Sequence, residues 1–431
     1  MTKTAQAPEP GAIRLTEGHN PFRTERRPVP GHNGIEDRVY NPNDLLAELA
    51  ARSEDRQDLL ITDPVDANMS WIPTSEIDGV KGHFRLAPEN VSRGVLHDYM
   101  QEHGDINFEW GSPAHRSICR MMETTPERYR KFGNGAEGRF LREFREWFAN
   151  PREDNKGIIV RTESDALGKR MVEGFVPGNF NTLDEFSIVA TVMEQLDSSK
   201  QFVNGVNVLH DSHRKTSSFR IIFGDPVITP GDHTFLDDND ETFCMLDIRY
   251  SPIGYTSFDA QLALWRLLCR NGAMRRDLEF LHVKWGQHYR ENEDSSHRRL
   301  FDRTAEVVSR VDQFAPMIGA ACRGLPGLAL GEEPEEIIGA LNRMHLLPKK
   351  HHDLALARLE SRVDGVVRTE WDMLNLLTRS AHDLSSISER QTGEGRALQM
   401  AMQPEAFSGI VQAGFDASLA RNDLREISGK H

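Results

Sequence analysis

The sequence predicts an α+β protein, with antiparallel β-sheet and covering helices in the middle, helical N-terminal and C-terminal parts, and a disordered N-terminal arm. Three observations predict it. Strand-like apolar runs cluster between residues 156 and 250. Apolar residues at helical spacing dominate on both sides of that stretch. Residues 1–40 are rich in Pro, Gly and charge and lack apolar periodicity, so they offer little surface to bury. The chain of 431 residues divides on this reading into an arm at 1–40, a mainly helical region at 41–155, an α+β core at 156–290 and a helical region at 291–431.

Taken in order, the first helix starts near Asn43, ahead of Leu45, Leu46 and Leu49. Leu59–Thr62 and Phe84–Ala87 read as strands. Pro88 opens a helix running to about His103, because proline suits a first helical turn. Thr125-Pro126-Glu127 is a second start, with a capping hydroxyl, a proline and an acid favoured by the helix dipole. Arg139–Phe148 carries Phe140, Leu141, Phe144, Trp147 and Phe148 at helical spacing. Gly157–Arg161 and Arg170–Phe175 read as a hairpin, and Leu183–Leu196 as a helix. Gln201–Leu209, Ser217–Phe223 and Thr242–Tyr250 read as further strands. Ser257–Arg270 is expected to be helical, since Phe258, Leu262, Trp265 and Cys269 share one face and Leu264, Leu267 and Leu268 widen it. Asn271-Gly272 would end it, both residues tolerating a left-handed exit. From His282 the chain reads as helical to its end, as one or two helices over Glu291–Ala321 and then Glu335–Met344, His351–Val363 and Arg368–Ala381.

Hydrophobic residues make up 38% and charged residues 27%, as in ordinary globular proteins, and the length allows a sizeable core. The formal net charge is −14, and a uniformly acidic surface would repel nucleic acid and acidic membranes. The charge is uneven, however. Gly231–Ile248 holds Asp232, Asp237, Asp238, Asp240, Glu241 and Asp247 with no Lys or Arg. Arg116, Arg120, Arg128, Arg130, Lys131, Arg139, Arg142 and Arg145 form one basic stretch, and Arg266–Arg303 a second. Cys119, Cys244, Cys269 and Cys322 lie far apart with no CxxC pair, which excludes a disulfide framework and a zinc motif and fits reduced cytosolic thiols. No basic-then-apolar leader and no apolar run of transmembrane length occur, so a cytoplasmic location is expected, without a membrane partner.

No GxSxG, HExxH, P-loop or dinucleotide fingerprint is present, so no cofactor is expected and no catalytic residue is identified. His210 and His213 offer two imidazoles that, with acids between Asp232 and Asp240, would suit a metal-dependent phosphoester hydrolase. Asp237-Asp238-Asn239-Asp240-Glu241 lacks the glycine and spacing of an EF-hand loop and reads as an acidic surface loop. The most suggestive pattern mixes cations and rings. Arg266 and Arg270 lie one helical turn apart on the expected helix, Arg275 and Lys284 follow, and Arg214 and Lys215 sit at a hairpin. Arg249, Tyr250 and Trp285 lie nearby in sequence, and basic grooves with stacking rings are what single-stranded nucleic acid requires.

The segment Arg249–Met274 resembles the phage- and plasmid-borne proteins grouped under domain of unknown function nine-three-two. Ser251, Gly254, Cys269, Asn271 and Gly272 carry the resemblance, as a serine, a nearby glycine and a helix ending in Cys-x-Asn-Gly. Thr125-Pro126-Glu127-Arg128-Tyr129, Phe144–Phe148 and Thr369-Glu370-Trp371-Asp372 with Asn375 are similar to further motifs of that family in the same order. Pro252 and Phe180 depart from its acid and its tyrosine. The resemblance implies a mobile-element origin and carries no reaction with it. The expected function is non-enzymatic binding or annealing of single-stranded DNA in replication or recombination. Arg249, Arg266, Arg270, Arg275 and Lys284 would meet phosphates, with Arg214 and Lys215 beside them, while Tyr250 and Trp285 would stack on bases. A homo-oligomer built on the C-terminal helices is compatible with this. The rival expectations are the hydrolase and an acidic protein-binding or anti-defence protein whose 231–248 segment mimics nucleic acid.

Overall fold

The structure, a computed structural model, describes residues 26–28, 35–62, 69–73, 82–86, 95–104, 106–149, 157–164, 168, 170–178, 180, 184–212, 214–228, 241–256, 258–266, 271–274, 282–285, 302, 305–310, 320, 328–362 and 366–401. Two sheets carry it. The larger is built on four strands that pair in succession, β9 (Val203–Asp211), β10 (Thr216–Ile228), β11 (Thr242–Tyr250) and β12 (Phe258–Arg266). Beyond β9 it is extended by β2 (Ile35–Tyr40) and β1 (Arg26–Pro28), and on the far edge β13 (Asn271–Met274) and β14 (His282–Trp285) both pair with β12. The smaller sheet runs β3 (Gln57–Ile61), β7 (Ile158–Ser164), β8 (Arg170–Pro177), β6 (Ile106–Glu109), β5 (His83–Leu86) and β4 (Met69–Ile72). Its pairs are antiparallel except β6 with β8.

Local chemistry explains the helices that cover these sheets. In α1 (Pro42–Asp55) the Asn41 side chain accepts the Asn43 N–H at 3.0 Å and Pro42 fills the first turn. In α6 (Glu185–Ser198) the Asp184 carboxylate accepts the Ser187 N–H at 3.1 Å. Leu45 and Leu49 of α1 and Ile188 and Val192 of α6 join Phe219, Ile221 and Phe223 of β10 in one core. Strand alternation sends Arg220 and Ile222 to the opposite face. There Arg220 donates to Glu394 at 2.7 Å, which fastens the C-terminal helices to the sheet. Those helices are α7 (Pro334–Arg343), α8 (Lys349–Ser361), α9 (Glu370–His382), which begins with a Thr369–Asp372 capping box, and α10 (Ile387–Ala401).

The smaller sheet has its own core. α2 (Val95–His103), α3 (Pro113–Met121), α4 (Pro126–Arg130) and α5 (Ala136–Ala149) supply Leu96, Ile118, Tyr129, Phe140 and Phe144 to it. Phe84 lies 4.9 Å from Phe140 and 5.2 Å from Phe108, ring centroid to centroid. Each such ring, fully buried, contributes roughly 1.5–3 kcal/mol of transfer free energy.

The α+β class holds, and particular expectations within it are corrected. The segment Ser257–Arg270 is not a helix, because residues 258–266 form β12 in register with β11. Phe258 and Leu262 stand four apart, which satisfies the helical period and the strand period alike, and Ala260 between them faces the same core. Asp259 and Gln261 alternate with these residues and are buried on the other face, a strand signal that the helical spacing of Leu264, Leu267 and Leu268 masked. Asn271 and Gly272 accordingly begin β13 rather than a helix exit, and His282–Trp285 is β14 rather than helix. The boundary at residue 40 also moves, since β2 pairs with β9 along its length. The described residues of the region 41–155 are mainly helical, and beside the strands expected near Leu59 and Phe84 they include β4 and β6.

The sheets are joined by residues 251–256, between β11 and β12. Arg161 of β7 donates to the Pro252 carbonyl at 2.6 Å, and Ile253 packs with Val176 and Phe180. Gly174 of β8 makes room for it, because a Cβ there would lie 2.4 Å from Ile253 Cγ2. Gly174→Ala should therefore destabilise the protein by about 1–3 kcal/mol, as overpacked cores do. Guanidinium denaturation checks this, and unchanged stability would show that the joint tolerates the shift.

Candidate nucleic-acid interface

Between the sheets lies a buried ionic cluster. Arg56, next after α1, reaches Glu163 of β7 at 3.3 Å, Glu173 of β8 at 3.4 Å and Glu185 of α6 at 3.3 Å. Arg52 of α1 meets the same three carboxylates. Lys215, in the turn between β9 and β10, donates to Glu173 at 3.0 Å. Ser217 donates to Glu185 at 3.1 Å, so its oxygen accepts from His210 Nδ1 at 3.0 Å. A serine, a histidine and an acid thus meet, but in the reverse of a nucleophilic triad, where the histidine would accept the serine proton.

Burial alone would push the Glu185 carboxyl up, yet Arg52 and Arg56 outweigh it and hold it down at about 2. Burial opposes ionisation of Glu173 in the same way and is overcome by Lys215, Arg56 and Arg52, which hold it well below the usual range. Glu163 moves the other way, raised by burial and by the Glu173 charge. Burial and the Arg52 charge keep His210 neutral by lowering its pKa from 6.5. Three cations thus face three carboxylates, a set whose charges balance without a ligand.

The expected site residues are placed apart. Arg249 is buried and donates to Asp259 at 2.7 Å. Tyr250 is sealed in the large core, so its ring has no open face for a base, which corrects the expected stacking role. Arg266 ends β12, so it shares no helical face with Arg270. Arg270 and Arg275 lie outside the described residues. Lys284 and Trp285 belong to β14, in register with Asp259 and Phe258. Lys215 is committed to Glu173, whereas Arg214 beside it is exposed. His213 and the acids from Asp232 to Asp240 lie outside the described residues. Among the described residues no group of three or more His, Cys, Asp or Glu is arranged to hold a metal ion, and no helix is long and apolar enough to cross a membrane.

A different basic group forms at the joint. Arg116 and Arg120 stand four apart on α3 and so share a face. The Arg120 guanidinium lies 5.8 Å from the Tyr255 ring centroid and donates to the Gly254 carbonyl. The Tyr255 N–H in turn donates to Ser251 Oγ at 3.1 Å, which shapes the turn that presents the ring. Burial pushes the Tyr255 hydroxyl up to about 12, and the charges of Arg116, Arg120 and Arg214 all pull against that rise, so three guanidiniums act electrostatically on one phenol. Burial drives the His115 pKa down to about 3, and the charges of Arg116 and Arg130 lower it further. Among the described residues none of Arg116, Arg120, Arg130 and Arg214 has a carboxylate partner. Farther along, Arg139 sits 4.0 Å over the ring of Phe132, which is 40% exposed. Ser251 and Gly254, which carry the family resemblance, thus build the wall of this site. Tyr255 was not singled out from the sequence, although the Arg116–Arg120 spacing was a legible sign of a charged helix face.

No family model matches the chain, no curated protein matches it, and no solved structure matches it. The resemblance of Arg249–Met274 therefore rests on its residues alone.

The ionic cluster gives the protein an acid limit. Glu185 ordinarily titrates near 4.5 and is held at about 2 in the fold. The stability it contributes is complete above pH 4.5 and is lost as the pH falls from there towards 2. His210, lowered from 6.5, adds a milder loss that begins as the pH drops below that value. Glu185→Gln should cost about 3–5 kcal/mol at neutral pH by leaving buried guanidiniums short of a partner. It should also flatten the acid limb of a Tm-against-pH curve, and an unaltered limb would assign acid unfolding to other groups.

Proposed function

We propose that the protein binds nucleic acid through its phosphates at Arg116, Arg120 and Arg214, around Tyr255. The observation that supports this most directly is the convergence of these guanidiniums from α3 and the β9–β10 turn with no carboxylate partner among the described residues. Guanidiniums present paired donors that match phosphate oxygens and stay charged at any physiological pH. The Phe132–Arg139 pair adds an exposed ring on which a base can stack. A single strand fits these features better than a duplex, because a ring serves recognition only where bases are unstacked and free. Binding or annealing of single strands without catalysis is the reading we favour, and a role on a phage or plasmid follows from the resemblance of Arg249–Met274. Of the residues expected to contact nucleic acid, Arg214 remains in this site; Arg249 and Tyr250 serve the core instead.

The test is fluorescence anisotropy with labelled single- and double-stranded DNA across a salt series. Log affinity should fall linearly with log salt, by about 0.7 per phosphate neutralised on a single strand. The double variant Arg116→Gln/Arg214→Gln removes two such contacts and should lower that slope by about 1.4 while weakening binding to all sequences alike. Arg120 is left in place because it also holds the Gly254 carbonyl. No binding at low salt, or an unchanged slope in the double variant, would overturn the assignment.

A further inference from the structure

Among the described residues the Tyr255 hydroxyl has one hydrogen-bond partner, the Pro113 carbonyl oxygen, at 3.5 Å. An O–H donor prefers about 2.7–2.8 Å, so this bond is near its limit and the proton can turn to a better acceptor. The ring that carries it is nonetheless held. It packs with Val176, Phe180 and Ile253, and the Tyr255 N–H is fixed by Ser251 Oγ. A positioned donor is thus left almost unused at the joint.

Pro113 opens α3, and the cations of the joint gather towards that end. Arg116 stands about one helical turn beyond Pro113. Arg130 arrives from α4, with Nη2 3.9 Å from where a Cβ on Gly111 would stand, two residues ahead of Pro113. Arg214 enters from the β9–β10 turn, is exposed, and acts on the Tyr255 hydroxyl by its charge. Arg120 is occupied by the Gly254 carbonyl, whereas Arg116, Arg130 and Arg214 have no carboxylate partner among the described residues.

Two kinds of phosphate differ in what they need from such a place. An internal phosphate is a diester with one negative charge, bonded to the chain on two sides. A terminal phosphate is a monoester with about 1.5–2 negative charges at pH 7 and three free oxygens. A protein that tracks internal phosphates spreads its cations along a groove. Here they act on the surroundings of one hydroxyl, which suits the more highly charged group. Tyr255 also stands half-buried between α3 and the 251–256 turn. A chain end needs one exit from such a position, and a continuous strand needs two.

We propose that the joint recognises a terminal phosphomonoester of a single strand, with the Tyr255 hydroxyl donating to one oxygen and Arg116 and Arg214 balancing the charge. It rests on the nucleic-acid binding proposed above and names the part of the strand that is held. A 5′ and a 3′ phosphate share this chemistry, and the probes separate them.

The probe is an internally labelled oligothymidylate, prepared with a 5′ phosphate, with a 3′ phosphate, with either phosphate capped as its methyl ester, with no terminal phosphate, and as a closed circle. Anisotropy titrations with the full chain at one salt concentration give the affinity ratios. A phosphorylated end should bind about tenfold more tightly than the unphosphorylated strand, as a charge-assisted hydrogen bond gives, and the methyl ester should lose most of that gain. A gain confined to one end supports the proposal and assigns the end. Tyr255→Phe keeps the ring and deletes the donor. It should cut the ratio of phosphorylated to unphosphorylated affinity to about twofold, whatever it does to the affinity common to both. Equal, salt-dependent affinity for every form would overturn end recognition and leave phosphate binding by the arginines standing. No binding of any form at low salt would overturn both. A methyl ester that keeps the full gain removes the charge argument, and a Tyr255→Phe variant with the native ratio removes the hydroxyl from the site.

Discussion

Arg52 and Arg56 meet Glu163, Glu173 and Glu185 where α1, β7, β8 and α6 converge, and Lys215 reaches in from the turn of the large sheet. Each of these charges gives up water that a neutral side chain would not have to surrender, and only their mutual attraction offsets that cost. Hydrophobic residues of similar volume would join the sheets with less to lose. What a charge cluster adds is direction, since a guanidinium satisfies three carboxylates only in one arrangement of the strands that bring them. The spacing between α3, which rides on the small sheet, and the β9–β10 turn of the large one is therefore set by this cluster. Arg116 and Arg120 stand on the first, and Arg214 is covalently next to Lys215 on the second.

A second fastening works by shape. The turn after β11 pushes Ile253 into the space that Gly174 leaves open, and Arg161 holds the Pro252 carbonyl from the side. Arg161 is itself anchored by two bonds of 2.7 Å to Asp58. Tyr255 is presented at the joint because the four residues before it are pinned in this way. The polar cluster and the apolar plug thus act on the same hinge line, one fixing distance and the other fixing register. Arg220 and Glu394 do for the C-terminal helices what Arg56 does for the small sheet, crossing from β10 to α10 on the opposite face.

How much of this the sequence disclosed depended on range. Features written within one turn or one strand were legible: a helix start near Asn43 for α1, the Pro126 start of α4, the aromatic face of α5, the β7–β8 hairpin and the helix over Arg368–Ala381 that is α9. β12 was not, because Leu264, Leu267 and Leu268 widened an apparent helical face on Phe258 and Leu262, and this outweighed the strand-like alternation of Asp259 and Gln261 with Phe258, Ala260 and Leu262. β2 was hidden for a different reason. Ile35–Tyr40 contains three charged residues, and its pairing with β9 lies some 170 residues away, as between Asp37 and Asn207. The same limit governs the site. The spacing of Arg116 and Arg120 declares a charged face, but nothing local says that Arg214 and Tyr255 will stand against it. Tyr250 and Arg249 looked like binding residues because composition does not show burial, and only the register of β11 with β12 gives Arg249 its partner Asp259.

The net charge of −14 argues against polyanion binding only if distant charges count fully. At physiological ionic strength the Debye length is about 8 Å, so carboxylates farther away than that are largely screened from a phosphate at Tyr255. In the proposed site the guanidiniums would touch the phosphate and escape that screening. Lowering the salt to about 0.01 M extends the Debye length to about 30 Å and brings the acidic remainder of the surface back into play. Two opposing effects then meet, since dilution of salt strengthens counterion release at the arginines while it lengthens the reach of the repulsion. A protein with this charge distribution gains less affinity at the lowest salt than its contact arginines alone would give, so log affinity bends away from the straight line there. A uniformly basic binder shows no such bend. The curvature therefore reads out the arrangement itself, a local cationic site set in an acidic surface, which net charge as a single number conceals.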